Sequence, residues 1–433
     1  MPLFKKPIEQ EFFNLRLRAG RPMTELEFYA KELTDWETSP ERREMIDGDR
    51  YYTGDHDILK RQRTAIGPDG KLITIENLPN NRIVDNQYAK HVDQKANYLL
   101  GQPISFSCEN GDYAAEVKKV LGMRFMRTLK SAGVECLNAG ISWLYPYYNK
   151  NGELTFRVFP GYEIMPFWAD AAHTELDSAL RLYPVEVYYG TEKKIVKKVD
   201  LFTLEGVTTY IFENGVLTPD TEKQAYVKVK DSKGNEQPLN WERFPLIPIK
   251  YNPKEVPLIR RGRSLQDAIN LLQSDFVNNM EEDVRNTVLV LKNYDGQDLG
   301  EFRRNLTTYG AIKVRTVEGT DGGVDSLEIS VKSENYKTVL ELLKKALIEN
   351  LRSYDAKDDR LSGTPNQMNI QSMYCDIDLD ANAMETELQA SFEEILWFVN
   401  TYLANTGKGS YESEDITVIF NRDILINESE AID

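Results

Sequence analysis

The chain has 433 residues and a formal net charge of −16, from 53 basic and 69 acidic residues; 28% of residues are charged and 10% aromatic. Single cores usually stop growing at about 250–300 residues, so a globular chain of this length and composition is expected to divide into several substructures. The acidity excludes a protein that grips nucleic acid through a basic face, and no apolar run approaches the ~20 residues of a membrane helix.

The opening MPLFKKPIEQEFF carries lysines with no apolar stretch behind them, so no secretory leader is read there and a soluble chain made in the cytoplasm is expected. Residues 24–47 read as a helix. Thr24 and Glu27 fit a capping box, and Leu26, Tyr29, Ala30, Leu33 and Trp36 follow at helical spacing until Pro40 interrupts or restarts it. Gly67-Pro68-Asp69-Gly70 signals a turn. Tyr88, Val92, Ala96, Leu99 and Leu100 mark a helix over 84–100, stopped by Gly101 and Pro103, and another is expected over 112–139. From 141 to 255 the period drops to two, in Leu154–Val158, Ile195–Phe202 and Thr208–Phe212. Asn149–Gly152, Asn214-Gly215 and Ser232–Asn235 are hairpin-type turns. This antiparallel β region ends in a proline-rich stretch over 244–257.

Two helical rods follow. Leu265, Ile269, Leu272, Phe276, Met280 and Val284 place an apolar stripe on a helix over 264–286. Tyr336, Leu340, Leu343, Leu347 and Leu351 do the same over 333–352. Between them, Thr287–Leu291, Ala311–Val317 and Val324–Val331 are strand-like, Leu299–Leu306 is a short helix, and Asp321-Gly322-Gly323 is a hairpin turn. The expected picture is two antiparallel rods with a β-rich module at their far tip. A polar loop over 354–366, helices at about 366–375 and 380–404, and a strand Ile416–Phe420 complete an α+β chain with no internal repeat.

Catalytic motifs are scarce. No GxxxxGK[ST], HExxH or strand-borne GxGxxG occurs, and His56, His91 and His173 are scattered, as expected of surface or packing residues. Cys108, Cys136 and Cys375 lack the spacing of a disulfide framework or thiolate metal site and are expected to be buried, reduced thiols. Asp376, Asp378, Asp380, Asn382 and Glu387 echo a calcium loop, but the sixth position is Ala381 where the loop needs glycine. The acidic run is better placed at the start of the following helix, where the helix dipole favours negative charge. Paired carboxylates acting as a hydrolase stay open as an alternative.

Five segments carry a family resemblance. They are Tyr51-Tyr52-Thr53-Gly54-Asp55-His56; Asn80–Asn86, continued by Tyr88, Val92, Asp93, Lys95 and Tyr98–Pro103; Pro245–Asn252; Gly262–Ser274; and Ile419–Asp423. In order and spacing they resemble the portal, or head–tail connector, proteins of long-tailed bacteriophages, over nearly the whole chain.

The resemblance implies a ring-forming portal fold. Residues 1–255 would hold N-terminal helices and a β-rich wing, 256–286 the first stem helix and 287–331 the clip. Residues 332–353 would be the second stem helix, 354–366 the tunnel loop, 367–409 the tunnel and wing helices, and 410–433 the closing wing strand, with the C-terminal crown absent or truncated. About twelve copies would surround double-stranded DNA that passes without sequence-specific binding, for which a mostly repulsive acidic surface is suitable. The tunnel loop would present Asp355, Lys357, Asp358, Asp359 and Arg360 to the DNA. The clip would use Arg303 and Arg304 against the terminase large subunit and then the head–tail adaptor. Leu265, Ile269, Leu272, Phe276, Leu340, Leu343 and Leu347 would pack the stem. Major capsid and scaffolding proteins are further expected partners; no cofactor, metal, membrane or enzymatic activity is expected. The protein would sit at one vertex of the virion after assembly in the host cytoplasm. A capsid or tail-adaptor subunit without a DNA channel is the alternative.

Overall fold

A computed structural model of the chain describes residues 24–66, 70–74, 78–230, 236–283, 288–292, 323–327, 333–355, 367–412 and 415–422. They form two compact units. One holds the described residues up to Asp55, Asn86–Arg263 and those from Leu347 onward; the other holds His56–Asp85 and Ser264–Ala346.

The larger unit begins with helices α1 (Glu25–Glu37) and α2 (Pro40–Thr53). Thr24 and Glu27 close the capping box that starts α1. Ser39 caps α2, Pro40 occupies its first turn, and Gly54 ends it at φ 93°, a left-handed position glycine adopts without a Cβ penalty. Pro40 therefore restarts the helix. Helix α3 is Gln87–Leu100, and the helix expected over 112–139 is two, α4 (Gly111–Val120) and α5 (Met123–Ala139). The break falls at Gly122, which is extended and caps α5.

The β region is antiparallel, as its period-two runs imply. Strands β6 (Ile164–Trp168), β7 (Leu176–Tyr189), β8 (Glu192–Thr203), β9 (Gly206–Glu213) and β10 (Val216–Pro219) pair in sequence order as a five-stranded sheet. The Asn214-Gly215 turn joins β9 to β10 with both residues at positive φ, 51° and 77°, the geometry of a two-residue type I′ hairpin. Alternate residues of this sheet serve two cores. Met165, Phe167, Leu180, Leu182, Val199 and Leu201 pack under Phe28, Tyr29 and Leu33 of α1. Ile164, Trp168, Ala179 and Phe202 face Ile141, Trp143, Phe159 and Leu246. Those belong to or adjoin a three-stranded sheet of β4 (Ile141–Tyr148), β5 (Leu154–Pro160) and β13 (Ile247–Lys250). Two short hairpin partners, β11 (Val227–Lys230) and β12 (Glu236–Leu239), pair with each other, and β16 (Ile416–Ile419) closes on β3 (Ser105–Cys108).

The helices expected at 366–375 and 380–404 are a single helix, α8 (Gln367–Asn405). This overturns the placement of the acidic run at a helix start: Asp376, Asp378, Asp380 and Asn382 lie inside α8. A helix also cannot wrap alternate side chains around one ion as a calcium loop does, because residues two apart point to different sides. The cysteines differ from expectation as well. Cys136 is buried, but Cys108 is half-buried and Cys375 exposed; all three are free thiols. His56 and His91 are buried packing residues.

The smaller unit contains a short hairpin, β1 (Thr64–Ile66) with β2 (Leu72–Thr74), most of helix α6 (Ile259–Asp283), and most of helix α7 (Ser333–Asn350). Between the helices, β14 (Val288–Lys292) pairs antiparallel with β15 (Gly323–Leu327). The rods expected at 264–286 and 333–352 thus correspond to α6 and α7. The helix at 299–306, the strand at 311–317 and the turn at 321–322 lie outside the described residues. No helix among the described residues is long and apolar enough to cross a membrane.

Candidate functional site

Within the smaller unit α6 and α7 run antiparallel. Asn279 and Phe276 meet Tyr336, by a hydrogen bond of 2.9 Å and by rings 4.9 Å apart. Further back along α6, Gln273 shares the Asp85 carboxylate with Lys344 of α7, at 2.6 and 2.7 Å. As the α6 number rises from 273 to 279, its α7 neighbour falls from 344 to 336.

The residues expected to pack this pair are unevenly covered. Ile269 is fully buried, whereas Leu265, Leu272, Phe276, Leu340 and Leu343 are half-buried. Leu347 is buried in the larger unit, where it and Leu351 crowd Gly262; a Cβ there would come within 3.0 and 2.9 Å of them. Leu271, Met280, Val339 and Leu342 stay 43–62% exposed.

Four further fully buried positions on α6 are polar. Gln266, Asn270, Ser274 and Asn278 recur every fourth residue and are at most 2% exposed. They bind the main chain of the segment 81–85. The backbone N–H of Asn81, Ile83 and Asp85 donate to Asn278 (2.7 Å), Ser274 (2.9 Å) and Asn270 (3.0 Å). The Asp85 carbonyl accepts from Gln266 at 2.7 Å. Four helical residues rise about 6 Å, and two residues of extended chain span about 6.6 Å, so the two repeats stay in step. Asn270 Oδ1 also accepts from Gln266, which leaves its Nδ2 to donate to His56 Nδ1 at 2.7 Å.

A second network lies in the larger unit, around Asp380 of α8. Its carboxylate accepts from Lys95 of α3 (2.8 Å), Tyr251 (2.7 Å) and Arg261 (3.2 Å), with Arg352 3.8 Å away. Burial alone would raise the Asp380 carboxyl; Lys95, Tyr251 and Arg261 hold it below the ordinary value. Burial pulls the Lys95 ammonium down, and Asp380 opposes that. Lys95 also donates to the Arg352 carbonyl at 2.9 Å, and Gln94 to that of Tyr354 at 3.3 Å. Tyr354 packs on Tyr374 (4.7 Å), and Tyr374 stacks on Tyr98 (5.8 Å), whose hydroxyl donates to Asp378. Arg422, following β16, pairs with Asp378 and Glu385. A polar cleft of about 610 Å³ opens beside this network, lined by Lys90, Asp93, Gln94, Asn97, Tyr98, Gly101 and Tyr354.

Of the expected DNA-facing residues, Asp355 is half-buried and near His91, whose imidazole burial depresses to about 4. Lys357, Asp358, Asp359 and Arg360, and likewise Arg303 and Arg304, lie outside the described residues. Reading the sequence missed the rail on α6, because amides and a serine at four-residue spacing resemble a solvated face. Their lack of charge was the available signal.

Each of the five segments of the family resemblance supplies polar atoms to at least one of these networks. His56, Asn81–Asp85 and Gln266–Ser274 build the rail; Lys95, Tyr98, Tyr251 and Arg422 build the cluster around α8. Comparison with known proteins agrees. The family model described as phage portal protein, SPP1 Gp6-like, matches residues 36–433. The portal protein of Bacillus phage SPP1 is 29% identical over 390 residues, covering 90% of this chain and 76% of that protein. That of Clostridium phage phiCD119 is 26% identical over 404 residues, covering 90% of this chain and 85% of that protein. The match runs through the five-stranded sheet, the paired helices α6 and α7 and the last strand β16 alike, and the chain belongs to the SPP1 Gp6-like family of phage portal proteins.

Proposed function

We propose that this phage portal protein closes into a ring of about twelve copies at one capsid vertex, forming the channel through which double-stranded DNA is packaged and later ejected. Helices α6 and α7 are the stem, within 256–286 and 332–353. Residues 287–331 are the clip, 354–366 the tunnel loop, and 1–255 with 367–433 the wing and tunnel helix. The observation that carries this reading is the antiparallel α6–α7 pair, with the antiparallel strands β14 and β15 between the two helices in sequence, in a chain matched to the portal family over 36–433. Uncovered Leu271, Met280, Val339 and Leu342 on the stem helices supply the apolar surface that a repeated subunit contact would bury.

In this reading the chain performs no catalysis. The clip, with Arg303 and Arg304, docks the terminase motor and afterwards the head–tail adaptor. The tunnel loop presents Asp355, Lys357, Asp358, Asp359 and Arg360 to DNA, where mixed charge permits brief phosphate contacts without a trap. The net charge of −16 limits adhesion elsewhere. Labelling virions with an antibody to this chain tests the placement. One decorated vertex per particle is expected; decoration over the whole shell would make it a capsid subunit instead.

A further inference from the structure

Lys95 is a buried cation, with its side chain 4% exposed. A buried lysine is costly unless paired and hydrogen-bonded. Charge balance alone does not account for it, because Asp380 already has Tyr251 at 2.7 Å and Arg261 at 3.2 Å. What Lys95 adds is a bond to the main chain, the Arg352 carbonyl at 2.9 Å.

That carbonyl marks where the chain leaves α7. The Arg352 and Ser353 N–H groups turn back to the Glu349 and Ile348 carbonyls, and Arg352 takes a left-handed φ of 49°. This is a Schellman-type stop with arginine where glycine is usual. Asp380 lies on α8, the helix reached after the tunnel-loop segment. One ammonium group thus joins the chain's departure from α7 to the helix that receives it. Its neighbours on α3 repeat the link: Gln94 holds the Tyr354 carbonyl, and the Tyr98 ring holds Tyr374, on which Tyr354 packs.

Resting on the portal reading above, we infer that Lys95 is a positioning residue for DNA passage. It fixes Arg352–Asp355 against α8 and so sets the position of Asp355, the first of the residues that the portal reading turns towards DNA. It touches no DNA itself; it acts through the Arg352 main chain.

The test uses full-length rings of the Lys95→Met variant, which keeps an unbranched apolar stem without the ammonium and leaves Asp380 its other partners. Gln94→Ala is the milder second variant, and Arg243→Ala, which removes an exposed pair with Glu394, is the control. Trypsin cleavage after Lys357 and Arg360 reads how firmly the segment's flank is held. Losing a charge-assisted bond to the main chain should speed that cleavage roughly tenfold or more in Lys95→Met. Gln94→Ala should speed it roughly threefold, with a neutral hydrogen bond lost, and the control not at all. Packaging by proheads carrying Lys95→Met rings should fall in parallel while ring assembly is kept. Unchanged cleavage in both variants overturns the inference, as does faster cleavage with normal packaging. Wild-type chains that form no ring would sink the portal reading instead; the cleavage comparison is made on the chain in either state, so the two failures are distinguishable.

Discussion

The backbone N–H of Asp85 donates to the side-chain oxygen of Asn270 at 3.0 Å, one rung of a buried rail that holds the segment 81–85 along α6. The Asp85 carboxylate meanwhile accepts from Gln273 of α6 and Lys344 of α7. Asp85 therefore ties three pieces of chain together, so polar bonds join α6, α7 and the segment 81–85 alongside the apolar contacts of the two helices.

Asn270→Leu should remove the rung. It removes the bonds that the Asp85 N–H, Gln266 and His56 make to Asn270, and losing a buried hydrogen-bond partner costs about 1–3 kcal/mol. Chemical denaturation should show a destabilisation of that order, about 2–3 kcal/mol. A loss under about 0.5 kcal/mol, the usual range for surface substitutions, would mean that the rail contributes little.

Leu342 is 62% exposed on α7, so Leu342→Asp should leave the chain's own stability within about 0.5 kcal/mol. A charge within a subunit contact is costly, so ring assembly should fail. Light scattering should report single chains with an unchanged thermal midpoint. Full-size rings would remove this stem face from the subunit contact.

Glu135 is the clearest pH-sensitive group. Burial, followed by Asp49 and Glu163, pushes its carboxyl up from 4.5 to about 7. A raised carboxyl binds its proton more tightly in the folded chain. Its contribution is therefore most favourable below pH 4.5, declines as pH rises towards 7, and is constant above that. The full swing is about 3 kcal/mol. Glu135→Gln should raise stability at pH 8 by about 1–3 kcal/mol and do nothing at pH 4. Equal stability of the two chains at both values would contradict the assignment.

Gly48 lies in α2 against α5, where an added Cβ would stand 2.0 Å from the Asn138 carbonyl oxygen. Alanine normally favours a helix by about 1 kcal/mol over glycine, but here the clash forces the helices apart. Gly48→Ala should cost about 1–3 kcal/mol net, read from the thermal midpoint. A stabilised variant would show that α2 and α5 can separate freely.

Much of the fold was legible from period alone. Strands such as Ile195–Phe202 alternate because one set of residues packs under α1 and the other against β4 and β5. The α1 cap followed from Thr24 and Glu27. What stayed hidden depended on partners remote in sequence. Asp378 and Asp380 read as a helix start because nothing nearby neutralises them; Arg422, Lys95 and Arg261 do so in the fold, and α8 continues through them. Gln266, Asn270, Ser274 and Asn278 read as a wet face because their partners are main-chain groups of 81–85, which carry no sequence signal. Leu342 and Met280 are apolar at helical spacing, yet the single chain leaves them uncovered.

Electron microscopy of the purified full-length protein tests the central claim most directly. The account predicts closed rings with an axial opening, with α6 and α7 antiparallel in every subunit and surrounding that opening. Solitary compact particles, or a reconstruction with α6 and α7 lying apart, would contradict it.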